Sequence, residues 1–181
     1  MTEELQKFTE TLEQTHTASW EQFPDIELYM DQVVTYVGGL GGLFPGQEGG
    51  SKGLTASMVN NYVKDGYIRR PVNKKYGKEQ LVNLYMLMML KNVMPIPVLA
   101  SSLKELALSG SHKELYDRFA RMQDDSFVRI AGRIREELAA HGDRSEELRL
   151  FALQMTAEAN AMQLAAERLM SSIASFDGVP A

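Results

Sequence analysis

The fold class follows from the segment LTASMVNNYVKDGYI, residues 54–68. Thr55 is a favourable N-cap residue and Gly66 a favourable C-cap residue, so together they predict a helix that runs to about Asp65. Its apolar positions are Met58, Val59, Tyr62 and Val63. Its polar positions recur at i, i+3, i+4 and i+7, and they are Ser57, Asn60, Asn61 and Lys64. A helix with one apolar face and one short polar face suits insertion into the major groove of DNA.

The residues after Gly66 predict a short basic β-hairpin. Tyr67–Arg70 favours an extended strand, Pro71–Asn73 can turn the chain, and Lys74–Tyr76 can return it. The four basic side chains of this hairpin are Arg69, Arg70, Lys74 and Lys75. A basic hairpin beside a recognition helix can bind the DNA backbone.

Helices are predicted on both sides of this segment. The first covers residues 2–18 and the second Ile26–Val37, and a loop follows from Gly38 to Gly53, where eight of sixteen residues are glycine. Downstream, an apolar helix that we expect to be fully buried covers Lys78–Val93. Pro95 and Pro97 interrupt it before a shorter helix to about Leu108.

Two long helices complete the predicted fold, over His112–Ala140 and Ser145–Ser175, with a turn at His141–Asp143. The second helix has an apolar stripe at steps of three and four, close to heptad spacing. Its members are Leu148, Phe151, Met155, Ala159, Met162, Ala166, Leu169, Ile173 and Phe176. This stripe can pack within the chain, in an α-helical hairpin, or between two chains, and we expect a homodimer.

The segment 54–68 resembles the second helix and first wing strand of MerR-type regulators, and residues 73–81 are similar to the stretch that follows in them. Residues 25–33 together with Met58–Lys64 resemble, more closely, an uncharacterised bacterial family of small proteins with a MerR-like domain. The resemblance covers about residues 20–108. It implies a winged helix-turn-helix fold and DNA binding.

The expected fold is therefore mostly α: a MerR-like winged helix-turn-helix with a small β-hairpin wing, followed by a long C-terminal α-helical hairpin. We expect an N-terminal helical extension at 1–19, the DNA-binding domain at 20–108 and a helical dimerisation or effector region at 109–181. The effector is a small molecule or a protein. The methionines of the helical segments indicate either adaptable core packing or an apolar effector pocket.

Charge supports a polyanion as partner. Lys52–Lys78 contains seven basic residues and one acidic residue, whereas the whole chain of 181 residues has a net charge of −5. The expected partner is double-stranded DNA. The predicted contacts come from the polar positions of the 55–65 helix and the basic hairpin, and Lys52 and Lys78 are candidates for further backbone contacts. The alternative is a winged-helix scaffold that serves as a protein-interaction module without binding DNA.

Other classes of function are disfavoured by what the sequence contains. Cysteine is absent, and the three histidines, His16, His112 and His141, have no metal-ligand spacing. We found neither a catalytic triad pattern nor a nucleotide-binding loop, so we expect neither enzymatic activity nor a cofactor or metal. Neither a secretory signal nor a membrane-spanning run is evident, which predicts a cytoplasmic protein.

Overall fold

A computed structural model describes residues 2–40, 53–142 and 144–176 of the chain. Within these residues the protein is mostly α-helical, with one small antiparallel sheet, which confirms the expected fold class at this level. The elements are α1 Thr2–Gln14, β1 Leu28–Tyr29, α2 Met30–Gly39, α3 Ala56–Lys64, β2 Lys75–Tyr76, α4 Lys78–Leu90, α5 Ile96–Leu108, α6 His112–His141 and α7 Ser145–Phe176. Most of the predicted glycine-rich loop, with Lys52, lies outside the described residues, as does Asp143 of the predicted turn.

The chain divides into two compact units. The central unit comprises residues 18–117 with the described residues from 169 onward, and the helical unit comprises residues up to 17 together with 118–168. No helix of the described residues is long and apolar enough to cross a membrane.

Helix α3 forms where its capping residues predict it. The Thr55 side-chain oxygen accepts a hydrogen bond from the Met58 amide at 3.2 Å, which satisfies one of the free amides at the helix start. Gly66 follows the last turn with a φ of +78°, a left-handed conformation that glycine adopts without steric cost. Val59 and Tyr62 are buried beneath the helix. The amphipathic helix predicted from the sequence is confirmed.

The small sheet differs from the prediction. β2 pairs with β1, in the antiparallel register Leu28↔Tyr76 and Tyr29↔Lys75, so the strand predicted at 67–70 is wrong. The helix predicted to start at Ile26 starts at Met30 instead, because the residues before it form β1.

The reason for the missing strand lies in the backbone hydrogen bonds of residues 67–71. The amides of Tyr67 and Ile68 both donate to the Tyr62 carbonyl, at 2.8 and 3.1 Å, and so complete the end of α3. The Arg69 carbonyl accepts from the Gln80 side chain at 2.8 Å, and Pro71 has no amide proton to donate. The Tyr67 and Ile68 amides and the Arg69 carbonyl are therefore already used, which disfavours a strand ladder at 67–70.

A tight turn does form at residues 72–75. The Val72 and Lys75 amides each donate to the other residue's carbonyl, at 3.1 and 2.9 Å. The two central residues, Asn73 and Lys74, have positive φ angles of 50° and 63°. This is the arrangement of a type I′ turn, in which both central residues are left-handed.

The core of the central unit is built on α4. Eight of its thirteen residues are buried, which confirms the predicted burial of this helix, although it ends at Leu90 rather than Val93. Phe23 packs edge-on against Tyr85 and Tyr116, with ring centroids 5.7 and 5.4 Å apart. The methionines Met86, Met88, Met89 and Met94 are buried, so core packing is the correct interpretation for them.

The helical unit contains most of α6 and α7, which are linked by an ion pair. Arg133 donates two hydrogen bonds to the Glu158 carboxylate, at 2.6 and 2.9 Å, and its guanidinium lies 5.7 Å from the centre of the Phe151 ring. Helix α1 is held to α6 by an ion pair between Glu13 and Arg135. The two long helices therefore contact each other within the chain at this position.

Candidate nucleic-acid interface

The polar face of α3 is open to solvent. Its four predicted site residues, Ser57, Asn60, Asn61 and Lys64, are all exposed. The opposite face packs on the unit, where α2 contacts α3. Lys64 forms no ion pair with any described residue. The helix therefore presents one hydroxyl, two amides and one free ammonium group in a single row.

Further cations lie in the tight turn at 72–75 and just before it. Arg70 and Lys74 are exposed, and neither is paired with an acidic group in the described parts of the chain. Lys75 is half-buried, and its ammonium lies 5.2 Å from the centre of the Tyr29 ring, in a cation–π contact. This contact connects the two strands through their side chains as well as their backbones.

Two other predicted residues have acidic partners. Arg69 Nη2 lies 4.0 Å from Glu79 Oε2, at the limit of an ion pair, and the arginine is largely exposed. Lys78 Nζ lies 2.8 Å from Asp25 Oδ1 and 5.3 Å from the centre of the Trp20 ring. The Lys78 side chain is only 16% exposed, so a phosphate would have to displace Asp25 to reach it.

Helix α3 and the tight turn are connected by a short, well-fixed segment. Ile68 is 2% exposed, and its amide is tied to the end of α3 through the Tyr62 carbonyl. The Gln80 side chain ties the Arg69 carbonyl to α4. Because α2 also contacts both α3 and β2, the backbone around the candidate interface is restrained from several sides.

The chemistry of these groups is that of binding. Amides and a hydroxyl offer hydrogen bonds, and the ammonium and guanidinium groups offer positive charge. Burial raises the pKa of the Tyr62 and Tyr76 hydroxyls, so these neighbouring groups stay neutral near pH 7. Among the described residues, no cluster of three or more histidine, aspartate or glutamate side chains could hold a metal ion.

The sequence did not reveal three residues that shape this surface. Asp25 pairs with Lys78, Glu79 lies next to Arg69, and Tyr29 lies under Lys75. Asp25 is 53 positions from Lys78 in the chain, and Tyr29 meets Lys75 only through the β1–β2 pairing. Of the three, only Glu79 is close in sequence to the predicted basic residues, since it directly follows Lys78.

Comparison with known proteins assigns the family. Residues 18–119 match the model of a family described as a domain of unknown function, DUF1836, and the chain belongs to this family. The matched region coincides closely with the 18–117 part of the central unit, which carries the candidate interface. This agrees with the expected resemblance to an uncharacterised family. No curated protein and no solved structure matches the chain.

Proposed function

We propose that this protein is a cytoplasmic, non-enzymatic DNA-binding regulator of transcription, with a winged helix-turn-helix of the MerR type in its central unit. Helix α3 is the recognition helix, and the tight turn at 72–75 is the tip of the wing. One observation carries the proposal. The polar row of α3 is exposed, and the residues that follow it in the chain include exposed cations without acidic partners among the described residues. Such a surface matches a groove edge and its flanking phosphates.

The row on α3 supplies the groups that read bases. An asparagine amide can pair with adenine through two hydrogen bonds, so Asn60 and Asn61 are the proposed base readers. Ser57 and Lys64 lie one turn to either side and can contact bases or phosphates. Each good two-bond contact is worth about 1–3 kcal/mol of discrimination against a wrong base.

The wing supplies backbone contacts. Arg70 and Lys74 are the main proposed phosphate ligands because neither has to leave an acidic partner first. Lys75 and Arg69 flank them, held near Tyr29 and Glu79. Lys52 and Lys78 complete the proposed backbone contacts, and Lys78 binds a phosphate only in competition with Asp25.

We also propose that the regulator is a homodimer that associates through α7. None of the α7 residues whose side chains the structure describes is buried, and several large apolar ones are exposed: Leu150, Leu153, Met162, Leu164, Leu169 and Ile173. A second copy of the chain would remove this apolar surface from water. Dimers of helix-turn-helix proteins also match DNA sites that consist of two half-sites. Light scattering tests the homodimer at a protein concentration of about tens of micromolar, where an interface of standard size should associate. The mass of a dimer would support the proposal, and the mass of a monomer would contradict it.

The DNA contact is tested by charge reversal of the wing. Arg70→Glu with Lys74→Glu should abolish binding to a labelled duplex in a fluorescence anisotropy titration. The matched control is Arg118→Glu with Arg121→Glu, which makes the same charge change at exposed residues of α6. The control should keep most of the affinity. Equal loss in both variants would mean that only net charge matters, and no loss in the wing variant would remove the wing assignment.

The protein-interaction alternative predicts a different result. A winged-helix scaffold that binds only protein would show no duplex binding even at low salt. Its association with a protein partner would also depend far less on salt than phosphate binding does. The exposed apolar residues of α7 would then be the first place to look for that partner's contact.

A further inference from the structure

A concave pocket of about 510 Å³ lies in the central unit, beside the segment that follows α3. Helices α4 and α5 form most of its wall. The apolar lining residues are Leu87, Pro97, Ala100, Leu103, Ala107 and Leu108. This volume is within the usual range for small-molecule sites, about 300–1,000 Å³.

The charged residues that line the pocket are all basic. The cations are Arg69 and Lys104, the imidazole of His112 lies with them, and no acidic residue is among the lining residues. Lys104 has no ion-pair partner in the described parts of the chain. Glu79 is not a lining residue, but its carboxylate contacts two of these basic side chains. Glu79 Oε2 lies 4.0 Å from Arg69 Nη2, and Glu79 Oε1 lies 3.5 Å from His112 Nδ1. Glu79 therefore already balances part of the positive charge, and among the described residues Lys104 is the lining cation without a carboxylate partner.

We propose that this pocket binds a small molecule with a compact apolar body and one carboxylate. The apolar lining would take the body, and the carboxylate would pair with Lys104 and share Arg69 and His112 with Glu79. Charge-assisted hydrogen bonds of this kind are the strong ones, and an arginine can bind a carboxylate through two of them. A cationic ligand would face the positive charges of Arg69 and Lys104, so the charge of the pocket sets its specificity.

Binding in this pocket bears on the proposed DNA interface. Gly66, Tyr67 and Arg69 line the pocket and also form the connection between α3 and the tight turn. A ligand held by Arg69 would therefore restrain the segment that sets where the wing lies relative to the recognition helix. This regulatory part rests on the proposed function, whereas the binding itself does not.

The binding is tested with 2-naphthoate on the full chain, followed by its own fluorescence. Two further probes share its ring system. Naphthalen-2-ylmethanol is neutral, and naphthalen-2-ylmethylammonium is a cation. We expect 2-naphthoate to bind about tenfold more tightly than the alcohol, because only the carboxylate gains charge-assisted hydrogen bonds. The ammonium probe should bind more weakly than either.

Two variants locate the site. Lys104→Gln removes a cation and should weaken 2-naphthoate binding about tenfold, whereas Ala107→Phe fills the pocket and should weaken all three probes. The matched control is Arg121→Gln, an exposed cation of α6, which should leave binding unchanged. Circular dichroism checks that each variant is folded. Absence of 2-naphthoate binding, equal binding of the three probes, or equal loss in Lys104→Gln and Arg121→Gln would overturn the proposal.

The regulatory part has its own readout. 2-naphthoate at about three times its wild-type Kd should change the Kd for duplex DNA at least about twofold in the wild-type chain, and clearly less in Lys104→Gln, most of which is then free of 2-naphthoate. An unchanged Kd in the wild type would overturn regulation and leave the pocket standing. A chain that binds 2-naphthoate but no DNA would overturn the proposed function together with regulation, again without affecting the pocket.

Discussion

Lys74 has a backbone conformation that its side chain disfavours, and this allows the fold and the function of the wing to be separated. Its φ is +63°, in the left-handed region, which costs a residue with a Cβ atom roughly 1–2 kcal/mol. Glycine avoids that cost but loses about 0.4–1 kcal/mol through its greater freedom in the unfolded chain. Lys74→Gly should therefore stabilise the central unit by about 0.5–1 kcal/mol.

The same substitution should weaken DNA binding. It removes one of the exposed cations without an acidic partner, so the log–log dependence of affinity on salt should lose about 0.9 of its slope. Lys74→Gln removes the same charge but keeps the Cβ atom. It should weaken DNA binding to a similar degree without stabilising the fold.

Urea unfolding followed by Trp20 fluorescence measures the stability change. Trp20 is the only tryptophan in the chain, and it lies in the central unit with the turn. Lys75→Gly is the matched control: it also removes a lysine, but from a strand position over the Tyr29 ring, so it should destabilise the unit by about 0.5–1 kcal/mol. A Lys74→Gly variant less stable than the wild type would refute the left-handed turn. A stabilised variant with unchanged DNA affinity and salt slope would refute the wing contact.

Three further predictions concern stability. Thr55→Ala should cost about 1 kcal/mol in urea unfolding because α3 loses its N-cap, whereas Thr55→Ser should stay close to wild type. Tyr116→Phe should cost about 1–3 kcal/mol in the same assay, since it leaves the Ala18 carbonyl without its buried hydroxyl donor. Hydrogen bonds from Arg133 lower the pKa of Glu158, so the stability from this pair is present above about pH 4.3 and is lost as pH falls through the lowered native pKa. Thermal melts by circular dichroism should therefore show a smaller loss of Tm on acidification for Glu158→Gln than for the wild type, and an equal loss would contradict the pair's role.

The parts of the fold that could be predicted from the sequence are those with local causes. Thr55 and Gly66 fix the ends of α3 through contacts within a few residues, and the apolar density of α4 predicts its burial directly. The strand expected at 67–70 rests on residue propensity alone. It fails because those backbone groups bind Tyr62 and Gln80 instead, and side-chain preferences do not reveal where backbone hydrogen bonds go.

The candidate site shows the same division. The exposure of Asn60 and Asn61 follows from helical spacing, which the sequence displays. The pairing of Lys78 with Asp25 does not, because these residues meet only after folding. Lys78 and Lys74 contribute the same charge to the sequence, whereas in the structure Lys78 has an acidic partner and Lys74 has none among the described residues.

The apolar stripe of α7 has heptad-like spacing, which is compatible with packing within the chain and with packing between two chains. Its first members, Leu148, Phe151 and Met155, are half-buried, while Met162 and Ile173 are exposed. Heptad spacing indicates that a helix packs against another helix, but it does not specify which one. The stripe thus contributes to packing within the chain and retains an apolar surface for the proposed dimer.

The most direct test of DNA recognition is a pair of anisotropy titrations with the wild-type protein. One labelled duplex carries the region upstream of the protein's own coding sequence, and the other is a scrambled duplex of the same composition. Both are measured between about 50 mM and about 200 mM salt. We predict tighter binding to the upstream duplex. Lys64, Arg70 and Lys74 on phosphates give a log–log salt slope of about −3 for each bound protomer, and the further proposed backbone contacts make the slope steeper. No binding to either duplex at the lower salt concentration would contradict DNA recognition by this protein.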